Sequence, residues 1–207
     1  CDISGSMEHY SRVMLHFIHG LTQHQPSVHS FLFGTKLTNI TRQMRQRDVD
    51  AAVQAISISV ADWSGGTLIG SNLQRFNRDW TRRVLTGGAS VILITDGLDC
   101  TPDGDMSALQ RLHFEMERLH KSTYNLIWLN PLLRFDGFAP KSHSIQTMLP
   151  HVDDFLPMHS LQSIGDIADA MQMIGRRRSK QLIGWQKLAR DAGDTARRYI
   201  SLSLIHI

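Results

Sequence analysis

Two continuous apolar runs constrain the fold of this chain more than any other feature. They are VILI at residues 91–94 and LIWL at residues 126–129. Strands that are buried on both faces have this composition, and such strands are typical of parallel sheets covered by helices. The first run leads directly into Thr95-Asp96-Gly97, so a carboxylate is predicted at the carboxyl end of a buried strand.

Helical patterns alternate with these strands along the chain. Apolar residues recur every three or four positions in five segments, which predicts amphipathic helices there. A hairpin is predicted around Gly34-Thr35, and a shorter strand at residues 152–158. The predicted fold is therefore α/β, with a Rossmann-like, doubly wound and mainly parallel sheet and helices on both faces. The predicted helices cover residues 8–24, 47–60, 71–85, 106–122 and 160–175.

The positive charge is concentrated near the carboxyl terminus. The 207 residues carry a formal net charge of +3, yet residues 176–198 alone carry +6, so the remainder is mildly acidic. We expect one domain over residues 1–175 and a basic helix or tail over 176–201. This distribution of charge gives little support to a nucleic-acid partner. With two cysteines and no apolar run of membrane-spanning length, the sequence favours a cytoplasmic protein without a membrane span.

The two ends of the sequence are unusual. The chain opens with CDISGSM rather than with Met, and it closes with LSLIHI at residues 202–207. That hexapeptide is one translation of a transposase adapter used in sequencing libraries. We therefore expect residues 202–207 to be adapter-derived and the amino-terminal side of the domain to be truncated.

Oxygen-bearing side chains come together at the predicted strand ends. Asp2, Ser4 and Ser6 alternate in DISGS, Thr67 lies in SGGT, and Asp96 lies in ITDG. Loops at the carboxyl ends of parallel strands share one crevice, and alternate side chains of an extended segment face the same side. Oxygen-only donor sets select hard cations. We therefore predict a site for Mg²⁺ (or Mn²⁺ or Ca²⁺) with an open position for an acidic side chain of a partner protein.

This set resembles the metal-ion-dependent adhesion site (MIDAS) of von Willebrand factor A (VWA) domains, written D-x-S-x-S…T…D. The resemblance implies that Ser4 and Ser6 bind the metal directly, and that Thr67 binds directly or through water. Asp2 and Asp96 would act mostly through water. The segments DWSGGT and WLNP, within residues 1 to about 175, further resemble the CoxE-like branch of these proteins. In VWA domains an apolar strand precedes D-x-S-x-S at the centre of the sheet, so we expect this first central strand to be largely missing here.

The CoxE-like resemblance implies an accessory protein rather than an enzyme. It would act with a MoxR-type AAA+ ATPase in the maturation of a molybdenum hydroxylase of the carbon monoxide dehydrogenase type. Both the ATPase and the client enzyme would be bound through an acidic ligand residue. The alternative is a VWA adaptor of another ATPase-driven metal-insertion or remodelling complex, such as a chelatase.

Other function classes have weaker support in the sequence. A phosphoryl-transfer enzyme would need a phosphate-binding loop of the G-x-x-x-x-G-K-[ST] type, and the sequence has none. Trp185 and Tyr199 lie among basic residues, which is a weak nucleic-acid signal. The histidines match no strong metal-binding signature, and His113 and His120 are expected to lie on a solvated helix face.

Overall fold

Helices and strands alternate along the computed structural model, which describes residues 1–60, 65–100, 105–158 and 182–191. The strands are β1 (Phe31–Phe33), β2 (Leu37–Asn39), β3 (Ser90–Ile94), β4 (Asn125–Asn130) and β5 (Asp154–Pro157). The helices are α1 (Glu8–His24), α2 (Thr41–Met44), α3 (Val49–Ser59), α4 (Ile69–Asp79), α5 (Thr81–Val84), α6 (Met106–Ser122) and α7 (His143–Met148). Short 3-10 turns are formed by Gly5–Met7, Pro131–Arg134 and Leu149–His151. Residues 182–191 are also helical.

The sheet is parallel where the two apolar runs predict it. Strands β3, β4 and β5 are hydrogen-bonded neighbours in that order, and both pairs are parallel. Strands β1 and β2 form the predicted antiparallel hairpin. Parallel neighbours require crossover connections, which here contain α6 between β3 and β4 and α7 between β4 and β5. The expected α/β fold of the Rossmann-like type is confirmed.

Both faces of the sheet are covered, because successive residues of β4 enter two different hydrophobic clusters. Ile127 and Leu129 join a cluster that includes Met14 of α1 and Ile56 of α3. On the opposite face, Leu126 and Trp128 join a second cluster with residues of α4, α6 and α7. Burial of each such side chain contributes about 1.5–3 kcal/mol to folding, so both layers of helices hold the sheet in place.

The amino-terminal segment lies between the hairpin and the parallel sheet. Asp2 forms a parallel bridge with Phe33, and its amide donates to the Ile94 carbonyl at 2.8 Å. Residues 1–3 thus occupy the position of a central strand. Beyond Cys1 this position continues as an apolar groove of about 360 Å³, whose two walls are residues 27–31 and residues 89–94. That the first central strand is largely missing stays a prediction.

The predicted helix over residues 71–85 is wrong in one respect, because the chain forms two helices that meet at Trp80. Trp80 departs from helical geometry, with φ −121° and ψ −33°. The Trp80 ring packs edge to face on Phe31, with centroids 5.0 Å apart. The Phe76 ring also packs on Phe31, with centroids 5.2 Å apart. Packing of this kind overrides helix propensity, which is why the sequence pattern alone missed the break.

Part of the predicted basic tail belongs to the hydrophobic core. Leu182 is fully buried in the second cluster, and Trp185 packs on Phe138 and Phe155 with centroids 5.4 and 6.1 Å apart. Trp185 is therefore a packing residue. The predicted helix over 160–175, the basic run 176–181 and the segments 192–201 and 202–207 lie outside the described residues.

Within the described ranges, no helix combines the length and the hydropathy that crossing a membrane requires.

Two histidines from distant parts of the chain contact each other beside β5. The rings of His113 on α6 and His151 have nitrogens 3.0 Å apart and centroids 4.6 Å apart. His113 is exposed, as expected, but His151 is buried. Burial, and then the positive charge of His113, lower the pKa of His151 to about 4, while Glu117 acts in the opposite direction.

This histidine pair predicts a loss of stability in acid. Because the fold disfavours protonated His151, its contribution is fully present above pH 6.5 and is lost as the pH falls towards 4. His120 and Lys121 also face this ring and add to the repulsion. We expect the free energy of unfolding to fall by about 2 kcal/mol more in the wild type than in His151→Gln over this range.

Urea unfolding at several pH values measures this effect. His143→Gln is the control, since His143 is an exposed residue of α7. A pH dependence that is the same in the wild type and in His151→Gln would contradict the assignment.

Candidate metal centre

The three sequence segments predicted to form a metal site meet at the carboxyl edge of the sheet. Residues 1–3 end between β1 and β3, and Asp96 follows β3. Thr67 precedes α4, and Leu68 donates its amide to the Gly34 carbonyl at 3.1 Å, which ties this loop to the hairpin. Asp2, Thr67 and Asp96 are all at most 1% exposed.

The Asp2 carboxylate connects the segments to one another. Its Oδ1 accepts hydrogen bonds from the Ser4 amide at 2.9 Å and from the Thr67 hydroxyl at 3.2 Å. Its Oδ2 accepts a 2.6 Å hydrogen bond from the hydroxyl of Thr95. Both carboxylate oxygens of Asp2 already have protein donors. Asp2 is therefore better suited to orienting the other ligands of a metal than to binding the metal directly.

The two serines form the open side of the centre. Ser4 precedes the 3-10 turn Gly5–Met7, and the Ser4 and Ser6 hydroxyl oxygens are 3.3 Å apart. Ser4 is buried whereas Ser6 is exposed. A ligand from another molecule would therefore approach on the Ser6 side.

Asp96 has an unsatisfied carboxylate oxygen. Its Oδ1 accepts from the Leu98 amide at 2.9 Å, but its buried Oδ2 has no hydrogen-bond partner within the described part of the chain. Burial, and to a smaller extent the charge of Asp2, raise the pKa of Asp96, although the Ser6 hydroxyl and the Leu98 amide act in the opposite direction. A buried carboxylate oxygen that lacks a donor is costly, and a cation would satisfy it.

The donor set fits a hard divalent cation. The five predicted residues lie together and offer only oxygen, from two carboxylates and three hydroxyls. Among the described residues no group of three or more His, Cys, Asp or Glu side chains could hold a metal. The candidate centre is of a different kind, because three of its five candidate ligands are hydroxyl groups and only two are carboxylates. Mg²⁺ accepts donors of this kind while it keeps several waters.

Sequence reasoning missed three residues that hold the centre in place. Thr95 binds Asp2 directly, and its only sequence signal was its position before Asp96. Cys100 accepts the Thr67 amide at its sulfur, 3.2 Å away, and donates its own amide to the Thr67 carbonyl at 2.9 Å. Asn130, at the end of β4, donates to the Asp96 carbonyl at 2.9 Å.

Trp128 supports the same loop from inside. Its ring is fully buried, and its Nε1 donates to the Thr95 carbonyl at 2.9 Å. Gly97 lies against this ring with φ +79°, and its carbonyl accepts the hydroxyl of Ser144 at 2.6 Å. Trp128 is thus a structural residue that supports the backbone on both sides of Asp96.

A comparison with protein-family models agrees with this interpretation of the fold. A family model described as VWA domain containing CoxE-like protein matches residues 1–164. No curated protein matches the chain. Among solved structures, the chain is similar to proximal thread matrix protein 1 from the mussel byssus, at 16% identity and a TM-score of 0.49. That match covers 82% of this chain and 44% of the mussel protein.

The family match includes every residue of the candidate centre and both strands that carry the apolar runs. The chain therefore belongs to the CoxE-like family of VWA-domain proteins.

Proposed function

We propose that this protein is a divalent-metal-dependent protein-binding module that acts as an accessory factor. The observation that carries this proposal is the buried, unpartnered Oδ2 of Asp96. The Asp96 carboxyl group interacts with the Ser6 hydroxyl, which lies 3.3 Å from that of Ser4. Ser4, Ser6 and Thr67 would hold the metal, with Asp2 and Asp96 orienting them or its waters. When bound, Mg²⁺ (or Mn²⁺ or Ca²⁺) would supply an electrophilic position that an acidic side chain of a partner can occupy.

The chain's own groups support binding rather than catalysis. Asp2 is held by three donors, and Thr95 and Asn130 fix the backbone around Asp96. A centre held this rigidly is preorganised for a ligand, and the exposed Ser6 leaves one side accessible.

We further propose the partners that the CoxE-like family implies. They are a MoxR-type AAA+ ATPase and, through it, a client molybdenum hydroxylase of the carbon monoxide dehydrogenase type, in the cytoplasm. Membership of the family supports this assignment.

Capture of a purified MoxR-type ATPase on the immobilised protein tests the proposal. We expect capture in Mg²⁺, loss of capture in a chelator, and loss in Asp96→Ala. Asp50→Ala is the control, because Asp50 is an exposed carboxylate on α3 whose ion pair with Arg12 is at the surface. Capture that persists in chelator and in Asp96→Ala would contradict a metal-dependent partner site.

A further inference from the structure

Arg134 lies against the first turn of α1, the helix that directly follows Ser6. Tyr10 lies four residues after Ser6, which places it about one helical turn further along. The Arg134 guanidinium is 5.2 Å from the centre of the Tyr10 ring.

Arg134 ends the turn Pro131–Arg134, which Asn130 caps by accepting the Leu132 amide at 2.8 Å. The same Asn130 donates to the Asp96 carbonyl. Arg134 is therefore linked to the centre both through Tyr10 on α1 and through Asn130 at the end of β4.

Two aromatic rings hold this guanidinium in position. Besides Tyr10, the ring of Phe135 lies 4.6 Å from the Arg134 Cζ. Arg134 and Phe135 are exposed, whereas Tyr10 is half-buried against the first hydrophobic cluster. A planar guanidinium stacked on aromatic rings keeps its donors free at the edges, which suits the recognition of a carboxylate.

The charge of Arg134 is not neutralised within the described part of the chain. None of the ion pairs found there includes Arg134, although Asp136 is close in sequence and Glu8 opens α1. Other exposed arginines differ in this respect, for example Arg78, which is bound to Asp79 at 2.7 Å. A fixed, exposed and unpaired cation beside a cation site favours an anionic partner group.

We propose that Arg134 is a specificity-determining residue that binds a second acidic side chain of the partner, next to the one that reaches the metal. This inference rests on the proposed metal-dependent binding at Ser4, Ser6 and Asp96. The pitch of one helical turn, about 5.4 Å, and the 5.2 Å between the Tyr10 ring and the guanidinium suggest a separation of about 7–10 Å between the two anion positions. An extended peptide covers about 3.3 Å per residue. The partner segment therefore carries two acidic residues that are two or three positions apart.

Two synthetic peptides test this spacing. The doubly acidic probe is acetyl-Gly-Asp-Gly-Gly-Glu-Gly-amide, and the singly acidic probe replaces its Glu with Gln. Binding is followed by NMR chemical-shift titration at saturating Mg²⁺ and again in chelator. We expect both probes to bind only with Mg²⁺, and the doubly acidic probe to bind about three- to fivefold more tightly.

Variants of Arg134 separate this contact from the metal site. In Arg134→Gln the two peptides are expected to bind equally, with the affinity of the singly acidic probe and of Mg²⁺ itself unchanged. In Arg134→Lys, which keeps the charge but loses the planar fork, part of the difference should remain. Arg83→Gln is the matched control, since Arg83 also lies over an aromatic ring, that of Trp80 at 5.8 Å, but on α5.

The outcomes distinguish this inference from the proposed function. If both peptides bind equally to the wild type, or if the difference persists in Arg134→Gln, the role of Arg134 is wrong while the metal-dependent site stands. If neither peptide shows Mg²⁺-dependent binding, the proposed function fails and this inference fails with it.

Discussion

Replacing Gly97 with alanine is expected to lower the free energy of unfolding by about 2–4 kcal/mol. Two effects add at this position. The backbone has φ +79°, where a side chain costs about 1 kcal/mol. A Cβ would also lie 2.6 Å from Cζ2 of the buried Trp128 and 2.8 Å from Cγ1 of Ile145, and such overpacking costs roughly a further 1–3 kcal/mol.

Gly87→Ala is the control that separates these two effects. Gly87 has a similar backbone conformation, with φ +66°, but no atom lies within 4 Å of its Cβ position. We expect it to lose only about 1 kcal/mol, from the backbone alone. Urea unfolding of both variants gives the comparison. An equal loss in the two variants would show that Trp128 does not support the Asp96 loop as described.

The second large effect is expected when the groove beyond Cys1 is filled. One wall is the edge of β3, and the other is the segment 27–31 that leads into β1. Apolar residues of α1 and α4 cover the two faces of the groove. The backbone groups of residues 89–95 point alternately to β4 and to the groove. The Thr95 amide and the Ala89 carbonyl form hydrogen bonds on the β4 side, whereas the Ile94 carbonyl accepts the Asp2 amide on the groove side. By this alternation Ile92 also presents its amide and carbonyl to the groove.

The amino group of Cys1 is a buried charged group at the end of the groove. It donates to the Phe31 carbonyl at 2.8 Å, yet burial lowers its pKa to about 5, against the opposing effect of Asp2. A peptide amide would make this hydrogen bond without a charge. An added residue would convert the ammonium group into such an amide and remove this buried charge.

We therefore expect the extension Val-Val-Ile-Val-Leu, joined to Cys1, to raise the free energy of unfolding by about 3–6 kcal/mol. Each apolar side chain would gain about 1.5–3 kcal/mol on burial, against roughly 1–2 kcal/mol for ordering each residue. The unextended chain is expected to aggregate more readily, because the open strand edges are exposed.

An extension of the same length, Ser-Gly-Asn-Gly-Ser, is the control. Thermal melts and light scattering compare the three proteins. If the polar and apolar extensions stabilise the chain equally, or if neither does, the groove is not the position of a strand.

The sequence was informative where a function needs short-range spacing. The alternation of Asp2, Ser4 and Ser6 follows directly from strand geometry, and the run before Asp96 predicted a strand buried on both faces. These two features placed Asp2, Ser4, Ser6 and Asp96 at one edge of the sheet, whereas Thr67 was assigned from the SGGT segment. Whether those residues bind metal stays a prediction.

The supporting contacts could not be predicted, because they join residues that are far apart in the chain. Thr95 binds Asp2 across 93 positions, and Asn130 binds the Asp96 carbonyl across 34. The helix break at Trp80 likewise depends on Phe31, which no local pattern reveals. Periodicity reports which face of an element is apolar, but it does not identify the partner of each polar group.

Isothermal calorimetry of Mg²⁺ binding tests the central claim most directly. The wild type is compared with the double variant Asp2→Ala and Ser4→Ala, and with the control double variant Asp50→Ala and Ser57→Ala on the exposed side of α3. We predict one Mg²⁺ ion bound per chain in the wild type and in the control, and no binding in the Asp2/Ser4 variant. Equal binding in all three proteins would show that the residues at the carboxyl edge of the sheet do not form a metal centre.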